Sequence, residues 1–356
     1  MSPRPSGPSP LEPLVVAQLQ CDSLASAAPD NIRASRLTGW AEGISVFEIP
    51  DVVYLPEYGI QICCGFVPEE AINYRDHLEI RLGRWPGQPS TKGIVIESEA
   101  IHRSPAEVCI LGHIYSHVFG HWCEELLKVV TLEKFGFGGF YVFPDWYPPY
   151  CRDSLQLLGV PATRVITVNK PVCYERAYLT TTIHHFNAHQ FPKLILHLRD
   201  RLYAGAADEI GAGHRIWVER GQHAKGRDVV NKEEVYACIK RYGFAAIDFG
   251  QHTFRKQIGI DRETRVMLVP HGSASVHCGF MPLAGEVIEI FSPLHINPSV
   301  LQLCQAMSHS YHQIVSRNPD HDPYKFGLDI MVDMDHLELV LSTVCRDSRT
   351  KRRALR

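Results

Sequence analysis

Residues 265–291, RVMLVPHGSASVHCGFMPLAGEVIEIF, constrain the fold more than any other stretch of the chain. An apolar run of strand type, Arg265 to Val269, breaks at Pro270-His271-Gly272-Ser273. A short segment follows, and a second apolar run, Val287 to Phe291, carries a single carboxylate, Glu289. The pattern predicts strand, turn, helix, strand. If the first run is a buried parallel strand, then Gly272, Ser273, Ala274 and Ser275 open a helix. Its first N–H groups and positive dipole end would suit a phosphate. Glu289 is costly to bury unpaired, and at the carboxyl end of a parallel strand it could accept from ribose hydroxyls. Together the two features point to a nucleotide diphosphate. The plainer alternative makes Ser273 an N-cap and Glu289 a salt-bridge partner.

A chain of 356 residues exceeds the size at which one core keeps growing, so two domains are expected. With 45% hydrophobic and 21% charged residues it is an ordinary globular protein. No apolar run reaches the length of a membrane span, and MSPRPSGPSPLEP has no secretory leader pattern, so cytoplasmic residence is expected. Eleven cysteines without a C-x-x-C read as reduced core thiols, not a disulfide frame or zinc knuckle. A net charge of −3 gives no case for nucleic acid. Arg346–Arg356 holds six basic residues and one acid, which makes it a candidate for peripheral contact with anionic lipid.

Along the chain, residues 1–13 are Pro/Ser-rich and read as a disordered tail. Residues 14–190 read as an α/β domain. Strands are expected at ISVFEI, VVYL, IQICC, IVIES, EVCILG, FYVFP, RVITV and AYLTT. A helix is expected from near His117 to Phe135 and another over CRDSLQLLGV. A boundary is placed after HHFNAHQ, and residues 191–315 repeat the strand and helix alternation as a nucleotide-binding, Rossmann-like domain. Residues 316–345 are expected to be helical and to pack back on the N-terminal domain, ahead of the basic tail at 346–356. Two α/β halves facing a central cleft would suit a donor and an acceptor.

Further clusters sit on that frame. Arg220 ends the strand-like RIWVER, with Lys225 and Arg227 in the loop beyond it, and could meet a diphosphate bidentately. Gln257, in FRKQI, could read a base edge. In HIYSHVFGHWCEE, His113, His117 and His121 are spaced by four, with Glu124 three beyond, so a continuous helix would stack all four as a metal site. Gly120 and the strand-like start before it argue that the helix begins late. Without metal, His121 is a candidate general base, since histidine's reference pKa of about 6.5 lets it accept a proton near neutrality, and Glu124 could orient it. His184, His185 and His189 read as cleft lining.

The ordered series FGHWCEE, LGV with RVI, IWVER, RDVVNKEEV, FRKQI, PHGSASVHCGFMP and GEVIEI resembles glycosyltransferase family 61, also described as the domain of unknown function 563, over roughly residues 105–310. The resemblance implies an inverting transferase of the GT-B architecture, with two Rossmann-type domains. It implies a nucleotide-sugar donor, usually UDP-linked, a glycan or other hydroxyl acceptor, surface polysaccharide synthesis as a setting, and no essential metal or other cofactor. By motif it assigns His121, Trp122 and Glu124 to the acidic His-Trp motif and Arg220 to the strand-end arginine. It also assigns Arg227 and Asn231 as a pair, Gln257 as the glutamine, His271, Gly272 and Ser273, followed by Ala274, to the turn, and Glu289 to the late glutamate. The chain departs from the family's common residues at Val118, Val269, Ala274 and His277. In the expected mechanism the N-terminal domain holds the acceptor and supplies His121 or Glu124 as base, while Arg220 and the 272–275 turn receive the leaving diphosphate. The rival readings are a metal-dependent hydrolase built on His113, His117, His121 and Glu124, and a non-catalytic nucleotide-binding protein.

Overall fold

The computed structural model describes residues 14–15, 21–22, 32–36, 43–63, 67–68, 71, 95–96, 101–113, 115–184, 187–209, 211–220, 227–316 and 329–354. The expected tail at 1–13, Lys225 and His185 lie outside the described residues. The chain is a mixed α/β protein that divides into two compact units. One comprises residues 1–117, 128–151 and 160–183, and the other 118–127, 152–159 and 184–356.

In the N-terminal unit, two short pairs stand apart from the main sheet. β1 (Leu14–Val15) runs antiparallel to β7 (Val95–Ile96), and β2 (Cys21–Asp22) parallel to β6 (Val67–Pro68). The main sheet is formed by β3 (Arg33–Arg36), β4 (Ser45–Leu55), β5 (Ile60–Ile62), β8 (His102–Ile110), β9 (Phe140–Pro144), β10 (Val165–Val168) and β11 (Val172–Thr180). Its order is β10-β9-β8-β11-β4-β3, with β5 pairing β4. The β10, β9, β8 and β11 neighbours are parallel, and β4 meets β11, β3 and β5 antiparallel. The two strands expected at ISVFEI and VVYL are one strand, because β11 pairs across the whole length of β4. Asp51 takes a left-handed φ of 51°, and pairing resumes at Val52. Buried Ile49, Val52, Tyr54, Val108, Ile110, Val142, Ala177 and Leu179 form this unit's core.

The C-terminal unit is built on five strands: β12 (Arg215–Val218), β13 (Ala245–Ile247), β14 (Val266–Pro270), β15 (Glu286–Phe291) and β16 (Ser310–Val315). All pairings are parallel, in the order β13-β12-β14-β15-β16. This is a doubly wound sheet in which the strand order reverses between β12 and β14. Helix α1 (Phe119–Phe135) and α2 (Pro149–Leu157) begin or end in this unit's inserted segments. α3 (Pro192–Gly205), α4 (Lys232–Arg241), α5 (Phe254–Glu263), α6 (Ser299–Ala306) and α7 (Met334–Ala354) belong to it entirely. α1 and α4 stop alike: Gly136 and Gly243 take φ of 88° and 70°. The next N–H, of Phe137 or Phe244, then returns to the carbonyl of Leu132 or Ile239.

Three expectations about organisation are corrected. The change of unit falls between Ile183 and His184, and residues 118–127 and 152–159 group with the second unit. His121 and Glu124 therefore lie in the C-terminal unit and not in the N-terminal one. α7, expected to pack on the N-terminal domain, joins the core of its own unit. Its Leu337, Leu341 and Val344 share a core cluster with Trp217, Val235, Leu268 and Ile288, because these apolar positions recur at helical spacing and the β12 to β15 face needs covering. The backbone stays helical through Ala354, so no break separates a tail at residue 346. Among the described residues no helix is long and apolar enough to cross a membrane, and nine cysteines are buried.

Candidate active site

His121, Glu124, Arg220, Arg227, Asn231, Gln257, His271, Gly272, Ser273, Ala274 and Glu289 lie in the C-terminal unit, and His113 and His117 in the N-terminal one. In an open parallel sheet a ligand site is expected beyond the carboxyl ends of the strands where their order reverses. Here that point lies between β12 and β14. Arg220 follows β12, and His271-Gly272 follows β14.

The His271 carbonyl collects two guanidinium groups. Arg220 Nη1 donates to it at 3.0 Å and Arg227 Nη1 at 3.3 Å. Arg227 takes a left-handed φ of 62°, an uncommon state for a residue with a side chain. Its segment is pinned in place by the Val230 N–H to Ile330 carbonyl bond and the Ile330 N–H to Asp228 carbonyl bond. Both arginines are half-buried, and among the described residues neither forms an ion pair. Arg220 Nε is buried with no hydrogen-bond partner. Burial holds both pKa values below the usual arginine value, and for Arg220 the neighbouring Arg227 adds to that. Two like charges on one neutral carbonyl would suit an anion, which would relieve the repulsion beyond what the carboxylates of Asp228 and Asp329 offset at Arg220. A Cβ on Gly272 would press on Arg220 Nη1, so the guanidinium keeps this position only while residue 272 is glycine.

The His271 ring is fixed from both sides. Glu289 Oε1 lies 2.6 Å from Nδ1, and Tyr311 donates its hydroxyl to Glu289 Oε2 at 2.8 Å. Asn297 Nδ2 lies 2.9 Å from His271 Nε2. Asn297 Oδ1 already accepts from the N–H and hydroxyl of Ser299, so its amide nitrogen must face the ring. His271 Nε2 is then an acceptor, and Nδ1 carries the proton donated to Glu289. The ring also stacks on Phe291 at 4.8 Å. Burial raises the pKa of Glu289, against the lowering effect of the His271 and Tyr311 hydrogen bonds.

α1 starts at Phe119, which leaves His113 and His117 outside the helix. His121 Nδ1 lies 3.2 Å from Glu124 Oε2, one turn on. Glu124 is buried and His121 partly exposed, so the carboxylate can orient the ring as a base. This helix start lies against the turn after β14: a Cβ on Gly120 would be 3.6 Å from Ser273 Cα and from Val276 Cγ1. The Phe119 ring stacks at 4.8 Å on His277, whose other stacking contact is Phe249 at 3.9 Å. His277 Nδ1 meets buried Asp261 Oδ2 at 2.6 Å. The departure at His277 therefore builds a buried pair that seats α1.

Other expected roles change. Glu289 has no exposed surface and spends an oxygen each on His271 and Tyr311, so it serves the turn from within instead of a ribose. Gln257 donates its amide to the carbonyls of Phe249 and His252, which makes it a brace for the 249–252 turn. Asn231 pairs through both side-chain atoms with the Val332 backbone, which secures the segment after Arg227. Ser273 and Ala274 open a 3-10 helix, Ser273–Phe280, not an α-helix; they are half-buried at the turn. Tyr311 and Asn297 were missed. Asn297-Pro298-Ser299 did carry a helix-entry signal, but Tyr311 on β16 reaches Glu289 only through strand pairing.

Residues 119–288, from the start of α1 into β15, match the family described as Glycosyltransferase 61. No curated protein matches the chain.

Proposed function

The chain carries a glycosyltransferase 61 domain over residues 119–288 and is a glycosyltransferase, and from that premise we propose an inverting enzyme that takes a sugar from a UDP-linked donor to a glycan or other hydroxyl acceptor. The observation that carries the donor reading is the convergence of Arg220 and Arg227 on the His271 carbonyl at the reversal of strand order. The diphosphate binds to the two guanidinium groups, beside the first N–H groups of the turn at Ser273 and Ala274. As the bond from the anomeric carbon to the leaving oxygen lengthens, the growing negative charge falls on the same cations. No metal is needed in this reading, because the arginines meet that charge.

His121 takes the acceptor hydroxyl's proton as that oxygen attacks the face of the anomeric carbon opposite the leaving group, and Glu124 stabilises the imidazolium through Nδ1. Attack from that face inverts the configuration. The N-terminal unit takes the acceptor, as in a GT-B-like arrangement of two Rossmann-type domains. The setting is cytoplasmic surface-polysaccharide synthesis, with the basic residues of Arg346–Arg356 as the part that meets anionic lipid.

The test is thermal stability with UDP. Saturation at about 100 times the dissociation constant should add about 2.7 kcal/mol. Arg220→Ala should weaken UDP binding by about 1.5–3 kcal/mol, the usual cost of a charge-assisted hydrogen bond. An Arg220→Ala protein that keeps its circular dichroism spectrum and its UDP affinity would remove Arg220 from the site.

A further inference from the structure

In the N-terminal unit, the carboxyl ends of β9 and β10 present one exposed tryptophan beside a polar pair. The sequence Phe143-Pro144-Asp145-Trp146-Tyr147-Pro148-Pro149 leaves β9 at Pro144, and the Asp145 N–H bonds the carbonyl of Val168, the last residue of β10. Asn169, next after β10, donates its Nδ2 to Asp145 Oδ2 at 2.8 Å. Asp145 and Asn169 thus stand side by side at adjacent parallel strand ends, both exposed. Trp146 is 52% exposed, whereas Trp122 and Trp217 are fully buried.

That exposed ring is held firmly. It lies 5.1 Å from the His117 ring and 4.8 Å, edge to face, from the Tyr147 ring. Both supports are tied down in turn: Tyr147 donates its hydroxyl to the His113 carbonyl at 3.1 Å, and Tyr150 donates to the His117 carbonyl at 2.5 Å. The two prolines that follow restrict the backbone further. The core does not need Trp146, since the Tyr147 side chain fills that space and is buried. A preorganised aromatic face costs little entropy when a ligand settles on it.

We propose that Trp146, Asp145 and Asn169 form a sugar-binding subsite for the glycan acceptor. A sugar ring offers one face of C–H bonds with partial positive charge, which suits the negative face of an indole. Neighbouring ring hydroxyls are both donors and acceptors, which suits a carboxylate and an amide set side by side. Asp145 Oδ1 and Asn169 Oδ1 have no partner among the described residues, so each can accept from a hydroxyl. The site lies where open α/β sheets take ligands, beyond the carboxyl ends of parallel strands. The inference rests on the reading that the N-terminal unit takes the acceptor. A subsite at β9 and β10 defines that acceptor as an existing glycan chain, not a small alcohol, because a stacking platform recognises a whole ring.

Saturation-transfer NMR on the full chain with xylotetraose, cellotetraose and chitotetraose tests this. At least one should bind, with transfer concentrated on the ring C–H protons of a single residue. Trp146→Ala should weaken that binding about tenfold, a loss near 1.4 kcal/mol. Asp145→Ala should weaken it independently, and Trp146→Phe should fall between wild type and Trp146→Ala. UDP stabilisation, read on the same variants, should not move. Failure of all the tetrasaccharides to bind, or a Trp146→Ala dissociation constant within about twofold of wild type, overturns the subsite. Sugar binding that depends on Trp146 in a protein that ignores UDP would instead overturn the donor reading and leave the subsite standing.

Discussion

Two guanidinium groups meet on one carbonyl oxygen, that of His271, with the carboxylates of Asp228 and Asp329 offsetting part of the charge at Arg220. The His271 backbone is held by its N–H bond to the Ile290 carbonyl, and its ring cannot turn: Glu289 and Asn297 occupy its two nitrogens, and Tyr311 completes the hydrogen bonding of Glu289. The sequence pointed to His271 and Glu289 but paired each with the ligand, whereas the structure pairs them with each other. His121 is the residue whose role is most open to direct test. Replacement by glutamine keeps a polar side chain of similar reach and removes the proton acceptor. Turnover with a competent donor and acceptor should fall by about a hundredfold to ten-thousandfold, the usual contribution of a general base. UDP affinity should change little, since the arginines proposed to hold the diphosphate are untouched. Near-normal turnover of His121→Gln across the pH range would make His121 structural and shift attention to Glu124.

Among the elements, α1 and α7 illustrate how far periodicity carries. The spacing of Trp122, Leu126, Val129 and Val130 located α1 correctly, with its end at Gly136. It could not show that the first turns of α1 group with residues of the second unit, because the Gly120 contact with Ser273 joins positions far apart in sequence. α7 was legible as a helix but was assigned to the wrong core. Leu341 is fully buried against the parallel sheet's apolar cluster. Leu341→Ala should cost about 2–5 kcal/mol by cavity formation, lowering the midpoint of urea unfolding with little change in its slope. A loss below about 0.5 kcal/mol, the range of a surface substitution, would show that α7 does not complete that core.

At the scale of the whole protein, stability should respond to acid through groups buried in one protonation state. His309 accepts the Gly285 N–H at Nδ1, 2.9 Å away, and gives its Nε2 proton to the Cys278 carbonyl, also at 2.9 Å. Burial lowers its pKa below the ordinary histidine value. The unfolded chain therefore takes up a proton at higher pH than the folded one, and the stability held by neutral His309 is lost as pH falls below about 6.5. Asp261 and Glu289, whose pKa values burial raises, act in the opposite sense, favouring the fold as they are protonated. A difference measurement separates the terms. His309→Asn, which keeps an acceptor near Gly285, should be less stable than wild type at pH 7.5, and the gap should narrow at pH 5 in urea unfolding. A gap that stays constant or widens would remove His309 from the pH response.

What the sequence determined by itself are the features written in short range. The alternation of strands and helices, the ends of α1 and α4, the strand, turn and strand from 265 to 291, and the cations after β12 all depend on spacing within about twenty residues. Their physical causes, hydrophobic periodicity and the special backbone freedom of glycine and proline, act locally. What only the tertiary structure decided are the pairings between distant positions. Strand order placed Arg220 beside His271, the Asn231 brace on Val332 fixed the segment that carries Arg227, and β16 brought Tyr311 to Glu289. A polar side chain's role depends on which partner satisfies it once water is excluded. Glu289, Gln257 and Asn231 have the side chains expected of ligand contacts, yet each is satisfied within the protein.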